Sequence, residues 1–206
     1  MRIERIEASK HKKGRVLIFL EDGACLKGTE QELLDFQLHS GDQLSAPQLA
    51  ALKAAAGISN AKAAAADLIG RRAMSRRDLE RKLRDKGAAP EEAAQAADWL
   101  TDIGALDDAA YAAMLVRHCG GLGYGPARTR EKLYEKGVPR AFWEEALREL
   151  PPAEELIDCF LERKLRGKEP EEKEKKRLTD ALLRRGFSWG EIRSAWRRWG
   201  SEIQDV

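Results

Sequence analysis

The sequence predicts a mainly α protein: three tandem three-helix-bundle repeats forming an elongated array, with a small N-terminal β-hairpin-containing extension. Three observations carry this prediction. A pattern of Leu, two residues, a basic residue and Gly occurs at Leu83–Gly87, Leu133–Gly137 and Leu182–Gly186, with its glycines 50 and 49 residues apart; that period suits a three-helix unit. Charged residues make up 35% of the 206 residues and hydrophobic ones 43%, more charge than an ordinary domain carries and consistent with much surface per unit of core. Strand-like sequence is confined to the part before Pro47, after which periodicity reads as helix throughout.

The extension is placed at 1–46. Val16-Leu17-Ile18-Phe19-Leu20 is β-rich, Asp22-Gly23 is a two-residue turn signal, and Ala24-Cys25-Leu26 is the return strand. Glu30 to Leu38 reads as a short helix stopped by Ser40-Gly41. A lone hairpin is marginal in water, so the extension must pack on the main body. A linker helix and the first repeat occupy 47–104, the second repeat 105–150 and the third 151–206. In each repeat the basic residue before Gly faces the negative end of the helix dipole, and Gly takes the left-handed cap. The helices that follow open at Pro90-Glu91-Glu92, at Pro139 and at the capping box Ser188-Trp189-Gly190-Glu191. Middle helices open at Ser75-Arg76-Arg77-Asp78 and at Gly125-Pro126, and another helix opens at Asp107-Asp108 with the apolar stripe Tyr111, Met114, Leu115 and His118. Buried faces are expected from Leu79 and Leu83; Trp99, Leu100 and Ile103; Phe142, Ala146 and Leu150; and Ile192, Trp196 and Trp199. The charged stretch Gly167 to Lys176 leaves the helix start in the third repeat open.

Net charge is only +2, but it is arranged in blocks. Gly70–Lys86 holds eight basic and three acidic residues, Gly87–Ala113 six acidic and no basic ones, Arg117–Arg140 six basic and two acidic, and Arg163–Arg198 thirteen basic and six acidic. Such blocks suit basic faces on a polyampholyte.

No GxSxG, HExxH, Walker A or GxGxxG sequence occurs. Asp107 is read as an N-cap rather than as half of a catalytic pair, because adjacent helical residues do not share a face. Cys119 beside His118 is read as a small buried residue. Cys25, Cys119 and Cys159 are odd in number and far apart, and His11, His39 and His118 form no ligand cluster. No disulfide framework, metal or cofactor is expected, nor a membrane span or secretory leader, so a cytoplasmic protein is expected.

Binding is the remaining class. Gly120 to Pro126 is glycine-rich and leads into a helix; its plainer reading is a connector, its sharper one a phosphate or partner contact. Tyr124 is expected to be exposed there, with Arg128, Arg130, Lys132 and Lys136 close to any anion bound. Arg71, Arg72, Arg76, Arg77, Arg81, Lys82 and Arg84 crowd the first repeat, either as a solvated face or as contacts to DNA phosphates or an acidic partner. The same choice applies to Arg193, Arg197 and Arg198. Trp99, Trp143, Trp196 and Trp199 are read as packing rather than as base-stacking platforms.

Gly104-Ala105-Leu106-Asp107-Asp108-Ala109-Ala110-Tyr111-Ala112 resembles the G-x-L-D-D-x-x-[YF]-A motif of the RecX family, bacterial regulators of the RecA recombinase. Gly123-Tyr124-Gly125-Pro126-Ala127-Arg128, with Leu133 and Lys136-Gly137, resembles the family's second motif. Ser75, Asp78, Leu79, Leu83 and Lys86-Gly87 match its first repeat. The resemblance spans residues 60–150 strongly and 151–200 loosely, and the extension is similar to that of longer members. Thr129 stands where an aliphatic residue is common, Ala88-Ala89 inserts one residue, and 168–176 is unusually rich in Lys and Glu. The resemblance implies a non-enzymatic protein that binds RecA, within the helical groove of its single-stranded DNA filament, and inhibits recombinase, ATPase and SOS co-protease activities; a monomer with weak non-specific DNA contact is expected, and the sequence leaves dimerisation open. The alternative is an independent helical DNA-binding protein or transcription regulator, suggested by short helical trios with basic middle helices.

Overall fold

The computed structural model describes residues 1–10 and 13–200, and among them the chain forms ten α-helices and three strands. Contacts gather into two compact units, Met1–Leu106 and Asp107–Val206.

The first unit opens with a three-stranded antiparallel sheet in the order β1 (Ile3–Ala8), β2 (Arg15–Leu20), β3 (Cys25–Thr29). β2 alternates as its sequence predicts, with Val16, Ile18 and Leu20 buried. Strand β1 lies outside the predicted hairpin. A bulge between Ile3 and Arg5 leaves Glu4 and Arg5 both exposed, which removes the period-two signal. The β2–β3 connection is also one residue longer than expected. Leu20 and Ala24 close Glu21-Asp22-Gly23, with Gly23 at φ +83. Thr29 and Glu32 form a capping box for α1 (Glu30–Asp35). This helix stops at Gln37, which is left-handed at φ +51 while Leu38 N–H donates to Leu33 O, and not at Ser40-Gly41. Ile3, Val16, Ile18, Leu20, Leu38, Leu44 and Leu52 form the core of the extension.

Leu52 belongs to α2 (Ala46–Ile69), a 24-residue helix that serves both the sheet and the first bundle. Arg15 donates to Ser59 O and Asn60 Oδ1, each at 2.8 Å, and Asn60 Nδ2 donates to Lys27 O at 2.8 Å, so the sheet is pinned to α2. The last turns of α2 then pack with α3 (Arg76–Asp85) and α4 (Pro90–Asp102) around Ala61, Ala65, Leu79, Leu83, Ala93, Ala97 and Leu100. Trp99 is half-buried against this core, whereas Ile103, expected inside, is 58% exposed at the helix end.

The second unit holds two bundles. The first comprises α5 (Asp108–Gly121), α6 (Pro126–Glu135), a 3-10 turn at Arg140–Phe142 and α7 (Trp143–Leu147). Its core is Ala112, Leu115, Val116, Cys119, Leu133, Val138 and Ala146. The α5 stripe therefore lies about one position away from that predicted, with Met114 and His118 exposed. Phe142 is exposed as well. The second bundle comprises α8 (Ala153–Leu165), α9 (Glu172–Arg184) and α10 (Trp189–Arg198), with Trp196 fully buried among Ile157, Leu161, Leu182 and Ile192. α8 ends through left-handed Arg166 and Gly167, and the charged stretch resolves into a loop followed by a helix from Glu172.

The threefold pattern has one structural cause. Gly87, Gly137 and Gly186 all have positive φ (+95, +70 and +87), and Ala88, Val138 and Phe187 donate back to the carbonyls of Leu83, Leu133 and Leu182. Each is a Schellman ending, and each of the three leucines is fully buried.

Candidate partner-binding surface

Helix α6 carries most of the residues predicted for contact, and two buried positions set its register. Thr129 and Leu133, one turn apart, are fully buried, which turns Ala127, Arg130, Glu131 and Tyr134 outward. Thr129 replaces an aliphatic residue at no polar cost, because its hydroxyl donates to Gly125 O at 3.0 Å. The cations of α6 do not form a bare positive strip. Arg128 pairs with Glu131 at 2.5 Å, Lys132 with Glu135 at 2.6 Å, and Arg130 reaches Glu144 at 3.8 Å. Lys132 holds the Glu135 carboxyl below the usual carboxylate range. Lys136 is exposed at the helix C-cap.

Sequence reasoning missed the aromatic part of this surface. Tyr134 is 63% exposed and overlooks a shallow groove of about 620 Å³ lined by Ala127, Arg130, Glu131, Glu135, Arg140 and Trp143. The Arg140 guanidinium lies 5.7 Å from the Trp143 ring centroid, and the indole is fixed by donating to Val138 O at 3.0 Å. Tyr, Trp and Arg are the side chains that most often dominate protein interfaces. The available signal was register: once Leu133 faces inward, its neighbour Tyr134 must point about 100° away.

The glycine-rich loop leads into backbone amides that already have partners. Gly125 N–H donates to Arg185 O at 2.8 Å and Ala127 N–H to Gly186 O at 3.2 Å. The amides at the start of α6 are therefore occupied by the end of α9. Arg185 donates to Leu122 O at 2.7 Å and Gly123 O at 3.1 Å, and its guanidinium lies over the Phe160 ring. A Cβ on Gly186 would lie 2.3 Å from Arg128 N, and one on Gly125 2.6 Å from Gly186 O. Both glycines allow the two backbones to touch. Tyr124 is not exposed as expected. It follows left-handed Gly123, its backbone N–H donates to Cys119 O at 3.0 Å, and its ring packs half-buried on the bundle core.

In the first unit the predicted cluster divides. Arg76 bridges Glu80 at 2.8 Å and Asp98 at 2.6 Å, and Arg81 pairs with Asp78 at 2.5 Å and Asp85 at 3.4 Å. Burial opposes ionisation of Asp78, but Lys82 and Arg81 outweigh it and hold the carboxyl below its usual range. Arg71, Arg72 and Arg77 are exposed and have no ion pair among the described residues. Arg198 also has a structural role, pairing with Asp158 at 3.0 Å and Glu154 at 3.0 Å.

Asp107 caps α5 by accepting from the Ala109 and Ala110 amides. Burial pushes the Cys119 thiol up, the opposite of an activated nucleophile. Among the described residues no cluster of His, Cys, Asp and Glu could hold a metal, and no helix is long and apolar enough to cross a membrane. His11 lies outside the described residues.

Comparison with known proteins agrees with this architecture. Models of the first, second and third three-helix domains of RecX match residues 61–100, 107–147 and 155–196. A regulatory protein RecX of Pseudomonas putida is 41% identical over 111 residues, which are 53% of this chain and 78% of the relative. One from Pseudomonas tolaasii is 42% identical over 127 residues, 60% and 81% of the two chains. A crystal structure of a regulatory protein RecX superposes with a TM-score of 0.70 at 27% identity, covering 95% of this chain and 98% of the other. RecX from Lactobacillus salivarius shares the fold, with a TM-score of 0.61 at 22% identity over 70% of this chain and 97% of the other.

Proposed function

The chain belongs to the RecX family of regulatory proteins, and from that premise we propose that it acts without catalysis, by binding RecA and its single-stranded DNA filament and restraining recombination, ATP hydrolysis and SOS co-protease activity. The observation that carries this reading is the outward face of α6, where exposed Tyr134 stands beside Arg130, Arg140 and Trp143 over a broad shallow groove. A groove of this shape accepts a protein surface, and its anchors are of the kind that supply most of an interface's binding energy. The charges around it pair locally, which favours a protein partner over a bare phosphate backbone. Arg71, Arg72 and Arg77 supply the unpaired positive charge for weak, non-specific DNA contact. The protein works as a monomer in the cytoplasm, where the three free cysteines remain reduced.

The reading as an independent DNA-binding regulator is less well supported. In helix–turn–helix readers the N-terminal residues of the recognition helix meet base edges. The start of α6, the basic middle helix, is covered by Arg185 and Gly186.

The test is RecA ATPase on single-stranded DNA with sub-stoichiometric amounts of this protein. We expect strong slowing by the parent chain. A Tyr134→Ala, Arg130→Glu variant with unchanged helical circular dichroism should need at least tenfold more protein for the same effect. No slowing by the parent over a wide concentration range would reject the function, and full inhibition by the folded variant would remove α6 from the interface.

A further inference from the structure

The extension does more than add a sheet: with α2 and the α3–α4 turn it encloses a cleft of about 400 Å³ in the first unit. We infer that this cleft binds the phosphodiester backbone of single-stranded nucleic acid without reading its sequence. Its cations are Lys27 from β3, Lys53 from α2 and Lys86 from the end of α3, all exposed and without an ion pair among the described residues. Three lysines from three separate elements thus face one space, with a single carboxylate, Glu92, in its wall.

That carboxylate is already engaged. Glu92 Oε2 accepts from Ala89 N–H at 2.9 Å, as part of the α4 cap, and the group sits against Gly57, where a Cβ would lie 1.8 Å from Oε1. Asn60 is engaged too, donating to Lys27 O and accepting from Arg15. The side-chain amide and carboxylate in the walls therefore have partners, and Leu26, Ala56, Ala64 and Ala88 make the floor apolar. What the cleft offers a ligand is mobile point charge over a smooth aliphatic surface. This suits a row of phosphates with sugars and bases laid beneath, and it lacks the fixed donors that reading base edges requires. Its shape is set by the Arg15 and Asn60 bonds that hold β3 on α2, and by the Schellman turn at Gly87. The inference rests on the weak DNA contact proposed above and gives it a site, and because its test needs no recombinase it fails separately from RecA inhibition.

The test titrates a fluorescent oligo-dT with the full chain, without RecA, and follows anisotropy at several salt concentrations. Loss of three phosphate contacts to a single strand should lower the slope of log K against log salt by about 2. We expect Lys27→Glu, Lys53→Glu, Lys86→Glu together to weaken binding at least tenfold at low salt, and the corresponding Gln triple to weaken it less. A second readout uses the unmutated chain. Cys25 lines the cleft and is exposed, and Cys159 is exposed in the other unit. Saturating oligo-dT should slow N-ethylmaleimide labelling of Cys25 severalfold and leave Cys159 unchanged. Equal labelling of Cys25 with and without bound DNA, parental affinity and slope in a folded triple variant, or no binding by the parent would each overturn the inference. Tighter binding of polyglutamate than of oligo-dT at matched charge and salt would reassign the cleft to an acidic protein segment and overturn it as well.

Discussion

At the scale of single residues, the glycines separate two costs that sequence alone merges. Gly87 and Gly186 are both left-handed, at φ +95 and +87, but nothing lies within 4 Å of a Cβ on Gly87, whereas one on Gly186 would meet Arg128 N at 2.3 Å. Gly87→Ala should therefore show only the left-handed penalty, about 1–2 kcal/mol. Gly186→Ala should cost roughly 3 kcal/mol, since its neighbour is backbone and cannot swing aside. Gly125→Ala, at an ordinary φ of −80 but 2.6 Å from Gly186 O, isolates the steric part. Urea unfolding followed by tryptophan fluorescence checks the last two, because Trp143, Trp189, Trp196 and Trp199 all lie in the second unit. Helical circular dichroism follows Gly87. Equal costs at 87 and 186 would mean that the α6–α9 joint yields. Asp78 gives a pH signature. Its folded pKa is depressed, so its contribution is present above the ordinary carboxylate range and fades as pH falls through the folded value. Asp78→Asn should cost about 1 kcal/mol at neutral pH after solvent screening, and the gap from the parent should close in acid. A gap independent of pH would assign the loss to packing.

Secondary-structure elements show why some of the fold was legible and some was not. Middle-helix ends could be read because a Schellman ending demands a left-handed residue, and only Gly adopts that cheaply, leaving a mark in the sequence. The same ending at Cys119–Gly123–Tyr124 is masked by the neighbouring Gly120, Gly121 and Gly125, and it draws Tyr124 onto the bundle rather than into solvent. Strand β1 was hidden by its bulge, and the end of α1 by the use of Gln37 where Gly is usual. The α5 stripe departs from its sequence pattern because Ala112 and Cys119 carry little hydropathy contrast, while Met114 advertises burial and is 43% exposed. The partner surface was half legible. The cations were found by type, but their carboxylate partners and the exposed Tyr134 depended on register. One tie between elements left no sequence signal at all: Trp196 Nε1 donates to Thr179 Oγ1 at 3.0 Å, both residues being buried, which joins α10 to α9. Thr179→Val keeps the shape and strands the indole N–H. We expect a loss of about 1–3 kcal/mol in thermal or urea unfolding, and Thr179→Ser should recover most of it. Parental stability in the Val variant would show that water replaces the bond.

For the whole molecule, the threefold repeat suggests three equal modules, yet the contacts divide it into two units. The first bundle shares α2 with the sheet, so it and the extension have one helix between them. The second and third bundles are joined where the start of α6 meets the end of α9, by two backbone hydrogen bonds and the Arg185 guanidinium. Neither connection follows from the 50-residue period: α2 begins before the first repeat, and the α6–α9 joint sets the repeat residues Arg185 and Gly186 against Gly125 and Ala127 of the bundle before. The division sets an expectation for function. The α6 surface lies entirely in 107–206, while Arg71, Arg72, Arg77 and the lysine cleft lie entirely in 1–106. If both units contact the same filament, joining them makes the second contact intramolecular, and overall affinity exceeds that of either unit by roughly 10²–10⁴-fold. A fragment of residues 107–206 should then fold cooperatively by itself and still slow RecA ATPase, but only at concentrations higher by a factor in that range. Adding fragment 1–106 in trans should not restore potency, because the effective concentration depends on the covalent link. A 107–206 fragment as potent as the full chain would confine filament binding to the second unit, and restoration in trans would show that the first unit acts on the DNA independently of its partner.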